Sequence, residues 1–250
     1  MGIYGAALLL SLAAIAAPRP ALRRAAVAAA SLGLAAQVGL LAVRWNAAGF
    51  LPVTGLYSTL GFLAAWVVAI ALYFVWRYGA ASFLPAALGL ALAALAGASK
   101  GNMALGSLTP ALDTPLFALH VVTSFSAYGL FGVAALVGAY RLLGFSGSSL
   151  GMERRMLDES LYLGYILFTW CMLAGSLWAY LAWGSYWTWR MKGLWSTILW
   201  FYYSGLLHVR NRPGWQGWPL SALALLGFAL VLFTFLALGL VFDSSHPLTS

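Results

Sequence analysis

The chain has 250 residues, of which 63% are hydrophobic and only 7% charged, with a formal net charge of +8. A water-soluble domain of that composition would have almost no polar surface to present, which excludes a soluble enzyme and indicates an integral membrane protein. The apolar residues fall in bilayer-length runs, as required where each helix must satisfy its own backbone hydrogen bonds.

In chain order the runs predict about eight transmembrane helices, at 3–17, 25–43, 56–76, 82–98, 116–142, 160–183, 194–209 and 219–242. Short separators join them, so the fold class is all-α, a polytopic membrane helix bundle read as a single transmembrane domain over 1–250. The first run is followed by Arg19, Arg23 and Arg24, with no basic residue before it, and reads as a span rather than a signal-peptide core. With the N-terminus outside, the inner loops hold Arg19, Arg23, Arg24, Arg77, Arg141, Arg154, Arg155, Arg210 and Arg212, and the outer segments only Arg44, Lys100, Arg190 and Lys192. That bias obeys the positive-inside rule and predicts both termini outside. It also accounts for the net charge, so no nucleic-acid partner is expected. The stretch GMERRMLDES (151–160) reads as a solvated helix start with Asp158 as a cap. Cys171, the only cysteine, falls inside the sixth run and reads as inert packing, with no pair for a disulfide or thiol chemistry.

Three histidines give the topology its content. His120 and His246 fall at the outer ends of the fifth and eighth runs, and His208 at the inner end of the seventh. The outer loop 183–195, WGSYWTWRMKGLW, lies at the same face as the first two. Imidazole suits iron, zinc and copper alike. The aromatic loop favours a porphyrin, on which Trp and Tyr can stack, while its propionates call for cations such as Arg190, Lys192 or Arg44. Tryptophan and tyrosine also gather at membrane interfaces without any ligand. A histidine at a helix C-terminus is favoured by the dipole alone. These residues by themselves leave both readings open.

WGSYWTWRMKGLW followed by LHVR resembles the tryptophan-rich signature of the cytochrome c assembly family, the haem-handling membrane proteins of CcsA, ResC and CcmC type. In the synthase branch the signature runs approximately W-G-x-Y-W-x-W-D-P-K-E-x-W, with a later L-H-x-R. Trp183, Gly184, Tyr186, Trp187, Trp189, Lys192, Trp195, His208 and Arg210 fall on it. RWNAAGFLPVTGLYSTLGFLAAW (44–66), ALHVVTSFSAYG (118–129, with Tyr128) and the terminal SSH resemble further family segments, so the likeness covers about 44–246. It implies that His120 and His246 flank a haem b at the outer face, with Trp183, Trp187, Trp189 and Trp195 as its platform. His208 corresponds to the family's intramembrane histidine, associated with a second haem whose other ligand comes from a membrane partner of CcsB or ResB type.

The pattern is broken where the family has Asp-Pro-Lys-Glu and this chain has Arg190-Met191-Lys192-Gly193, and where Ser58 replaces the glutamate of L-Y-E-S after Tyr57. Reversing the charge of an outer loop alters the field met by haem or apocytochrome. The expected role is therefore a haem-handling protein of cytochrome c assembly in the prokaryotic cytoplasmic membrane. It would be a component of a cytochrome c haem lyase (synthase), presenting haem to an apocytochrome, and the missing acids leave the transfer step open. The alternatives are a b-type electron-transfer subunit of a respiratory complex, linked to quinol and a c-type cytochrome, and a haem-free scaffold. Neighbouring genes would discriminate these roles.

Overall fold

The computed structural model describes residues 1–53, 55–104, 110–144 and 150–237. Within them the eight expected helices form: α1 (Gly2–Ala16), α2 (Pro20–Ala48), α3 (Gly55–Tyr78), α4 (Leu84–Ala98), α5 (Pro115–Leu142), α6 (Leu150–Trp183), α7 (Met191–Val209) and α8 (Trp218–Leu232), the last running into a π-helical turn, Phe233–Ala237. No strand occurs among the described residues. The protein is a polytopic helical membrane protein. Six helices, α2 to α6 and α8, are long and apolar enough to cross a membrane. α1 has 15 residues, about 22 Å of helix against a hydrocarbon core of about 30 Å. α7 begins with the cation Lys192 and carries Ser196, Thr197 and Ser204, which lower its hydropathy.

The chain forms two compact units, Met1–Leu105 and Gly106–Ser250. In the first, α1 pairs with α2 and α3 with α4. Their apolar surfaces give little reason to associate in lipid, so polar groups tie them. The Tyr4 hydroxyl of α1 donates to Gln37 Oε1 of α2 at 2.7 Å, and Gln37 Nε2 donates to the Gly61 carbonyl of α3 at 2.7 Å.

In the second unit α5 packs between α6 and α8. It is mostly buried and largely apolar, with Thr123, Ser124 and Ser126 as buried exceptions whose hydroxyls bond to the helix's own carbonyls. Small residues allow the approach: a Cβ on Gly138 would stand 2.8 Å from the Ser221 carbonyl oxygen of α8. The Phe131 ring of α5 stacks on Tyr203 of α7 with centroids 3.5 Å apart. At the start of α5, Thr114 Oγ1 accepts from the Phe117 amide at 3.2 Å, with Pro115 at the first helical position.

GMERRMLDES forms the first turns of α6, as a helix start should, but the start is not wholly solvated: Glu153, Met156, Leu157 and Ser160 are buried on one face. Asp158 caps nothing; it sits a turn after Arg154 and pairs with its Nε at 3.6 Å.

Candidate functional site

His120 lies in the second turn of α5, and its Nδ1 is 2.9 Å from the carbonyl oxygen of Cys171 on α6. A carbonyl can only accept, so Nδ1 carries a proton, and in the neutral ring the lone pair belongs to Nε2. Beside the ring, at 6.3 Å between centroids and 20° from parallel, is Trp178. That indole is buried, donates from Nε1 to the Ala111 carbonyl at 2.6 Å, packs on Phe117 at 5.2 Å and meets Trp183 edge-to-face at 4.7 Å. The approach of His120 to α6 requires Gly175, where a Cβ would stand 2.5 Å from Nδ1.

Trp183 ends α6 because Gly184 takes the left-handed conformation (φ 71°), its amide bonding to the Tyr180 carbonyl at 2.8 Å. The chain then doubles back. Tyr186 stacks on Tyr180 at 4.2 Å and 7°, Ser185 Oγ donates to the Trp187 carbonyl at 3.0 Å, and Trp187 meets Trp189 edge-to-face at 6.4 Å. Arg190 caps α7, its carbonyl accepting from the Leu194 amide at 2.9 Å. Trp195, in the first turn of α7, packs edge-on against Phe233 at 4.7 Å. Trp183, Tyr186 and Trp189 are 48%, 53% and 70% exposed, leaving apolar ring surface open at this end of the unit.

The same geometry accounts for part of the broken motif. The Thr188 carbonyl packs directly on Gly193, so any side chain there collides with backbone. A glutamate at position 193 would require a different loop. Lys192 is half-buried, and desolvation pushes its ammonium down to about 8.

His208 sits in the last turn of α7, exposed, with Nδ1 2.7 Å from the Ser204 carbonyl, so its Nδ1 too carries a proton and Nε2 is the nitrogen that faces away from the helix backbone. Two residues on, Arg210 donates to the Asp158 carbonyl at 3.3 Å and lies over the Tyr162 ring at 5.7 Å. Asp158 and the Cys171 carbonyl that holds His120 are 13 residues apart on α6, about 20 Å along its axis. With metal–imidazole bonds of about 2 Å, His120 and His208 cannot share one iron. His246 lies outside the described residues. Arg44 belongs to the first unit, where its guanidinium donates to the Met103 carbonyl at 2.9 Å, contacts Ser58 Oγ at 3.5 Å and lies over the Tyr57 ring at 5.0 Å. Tyr128 packs among Phe125, Phe168 and Phe235.

An axial haem ligand needs an imidazole anchored through one nitrogen with the other left for the metal. Both described histidines are anchored in that way through Nδ1. The residues that secure His120, namely Cys171, Gly175 and Trp178, were not identified from the sequence. Their spacing (i, i+4, i+7) on one face of α6 was the available signal.

A family profile described as cytochrome C assembly protein matches residues 53–246. Among curated proteins, a cytochrome c biogenesis protein CcsA of Gloeobacter violaceus is 29% identical across 91% of this chain and 87% of its own length. The CcsA of Synechococcus elongatus is 30% identical over the same shares, and that of Chlamydomonas reinhardtii 29% identical over 83% of this chain and 63% of its own.

Proposed function

Because the chain belongs to the cytochrome c assembly protein family, we propose that it holds a haem b at the outer face of a prokaryotic cytoplasmic membrane and presents it for cytochrome c assembly. Both termini lie outside in this reading. His120 and His246 would be the axial ligands. Trp183, Tyr186, Trp187, Trp189 and Trp195 would form the apolar shelf beneath the macrocycle, and Arg190, Lys192 and Arg44 are the candidate partners of the propionates. The haem would supply the iron and the vinyl groups that an apocytochrome's thiols attack. The chain's own residues bind, orient and shelter it from water. The observation that carries the reading is the anchoring of His120: with Nδ1 donating to the Cys171 carbonyl, Nε2 would be the ligating atom.

His208, on a helix end remote from His120, is proposed as the ligand of a second haem completed by a CcsB- or ResB-like membrane partner. A second reading, a b-type electron-transfer subunit serving quinol and a c-type cytochrome, draws on one observation. The loop that carries acids in the synthase branch has Arg190 and Gly193 instead.

The test is direct. In the purified protein, His120→Ala and His246→Ala each lower haem content counted as pyridine haemochrome, and deletion of the gene abolishes all c-type cytochromes. Unchanged spectra in both variants refute the ligand pair. Loss of a single respiratory activity, with c-type cytochromes intact, supports the electron-transfer reading instead.

A further inference from the structure

Cys171 is buried, and its Sγ lies 2.8 Å from Ser124 Oγ and 3.4 Å from His120 Nδ1. Ser124 Oγ also lies 2.7 Å from the His120 carbonyl oxygen. The donors follow by elimination. A hydroxyl has one proton and a carbonyl only accepts, so Ser124 donates to His120 O. The proton between sulfur and Ser124 Oγ is then the thiol's. Sulfur lone pairs remain for Nδ1–H, which is shared between the Cys171 carbonyl at 2.9 Å and Sγ at 3.4 Å. The result is a closed circuit. Cys171 S–H donates to Ser124, Ser124 O–H donates to the His120 carbonyl, and His120 Nδ1–H returns to Cys171.

We propose that Cys171 and Ser124 are positioning residues that, together with the Cys171 carbonyl, hold His120 in the Nδ1-protonated tautomer before haem arrives. The inference rests on the haem reading of His120. A neutral histidine can carry its proton on either nitrogen, and the hydrogen bond made by one nitrogen decides which. A thiol in a packed interior is ordinarily a small apolar filler. Here it closes a donor–acceptor chain, giving the Ser124 hydroxyl a donor and Nδ1–H a further acceptor.

The experiment uses the full chain, haem-free, in detergent micelles, with 15N-labelled histidine. Replacing His208 and His246 by asparagine leaves His120 as the only imidazole. The expected spectrum has a protonated Nδ1 and an unprotonated Nε2. Ser124→Ala and Cys171→Ala shift the population toward Nε2–H, while Cys171→Ser, which keeps a hydrogen-bonding group, retains the parent pattern. In haem-loaded protein with all three histidines, the two alanine variants displace the haem reduction potential from the parent value and Cys171→Ser restores it. A parent spectrum with Nε2 protonated overturns the proposal, as do alanine variants that match the parent in both tautomer and potential. If the tautomers behave as stated but His120→Ala keeps its full haem content, the positioning stands and the haem reading of His120 fails.

Discussion

Replacing Gly175 by alanine perturbs the contact that brings His120 against α6. The added Cβ would stand 2.5 Å from His120 Nδ1 and 2.8 Å from Cε1, whereas ordinary contact begins near 3.4 Å. The imidazole must therefore retreat from α6 by about 0.9 Å. Because the Cys171 carbonyl belongs to the same helix, that retreat stretches the 2.9 Å bond from Nδ1 beyond the useful limit of about 3.2 Å. Overpacking costs about 1–3 kcal/mol and the lost hydrogen bond about 1 kcal/mol. A helical Gly→Ala change returns about 1 kcal/mol. The net expectation is a loss of about 1–3 kcal/mol, with haem retention reduced. Gly205→Ala is the control, since nothing lies within 4 Å of a Cβ there and α7 is helical at that point, so it should be neutral or stabilising. Both variants are compared by SDS denaturation in mixed micelles and by haemochrome count. If Gly175→Ala denatures with Gly205→Ala and keeps its haem, the close approach of His120 to α6 is wrong.

Arg44→Ala removes the bond to the Met103 carbonyl and the contact with Tyr57, and should cost about 1 kcal/mol in the same denaturation assay. Arg44→Lys should recover little of it, since an ammonium lacks the planar fork that serves several partners at once. Lys192 titrates near 8, below its ordinary 10.5. Its charge is present at pH 7 and lost as pH rises through 8, so haem retention that depends on it falls between pH 7 and 9, and Lys192→Met abolishes that dependence. The stability effect has the opposite sign: the unfolded chain holds this proton more tightly, so the fold gains stability from about pH 8 to 10.5. Arg190→Asp should not by itself raise cytochrome c maturation in a complementation assay, because the proline and glutamate of the motif are also absent. Recovery from that single change would refute the reasoning.

The helices were legible because a bilayer imposes one rule, internal satisfaction of backbone hydrogen bonds, on every apolar run of sufficient length. The start of α6 was legible as a helix start, but its inward face was not. Residues 151–160 carry enough charge to look solvated, and only the burial of Glu153, Met156, Leu157 and Ser160 reveals a face turned inward. The aromatic loop was legible as a candidate site through composition and resemblance, yet its shape was not, since the Gly193 approach to the Thr188 carbonyl is a backbone event with no side-chain signature. Cys171 was read as packing. It is buried, but chemistry between α5 and α6 depends on which residue meets which across the interface, and the chain alone does not specify that register.

Along α6 the two described histidines are sorted by distance. One end, at Cys171 to Trp183, gathers His120 and the indoles; the other, at Asp158 and Tyr162, meets the last turn of α7 and Arg210. A separation of about 20 Å is comparable to much of the hydrocarbon thickness, about 30 Å. In the proposed reading, the haem held by His120 is reached from one membrane face and that held by His208 from near the other. His208 is exposed on its helix and its Nδ1 is already committed to the Ser204 carbonyl, so its Nε2 is set for a group approaching from outside the unit. The proposed second haem would then require a ligand from another chain, whereas the first needs only His246 of this one. Removing the partner subunit should accordingly deplete haem in His120→Ala protein and leave a haem in His208→Ala protein.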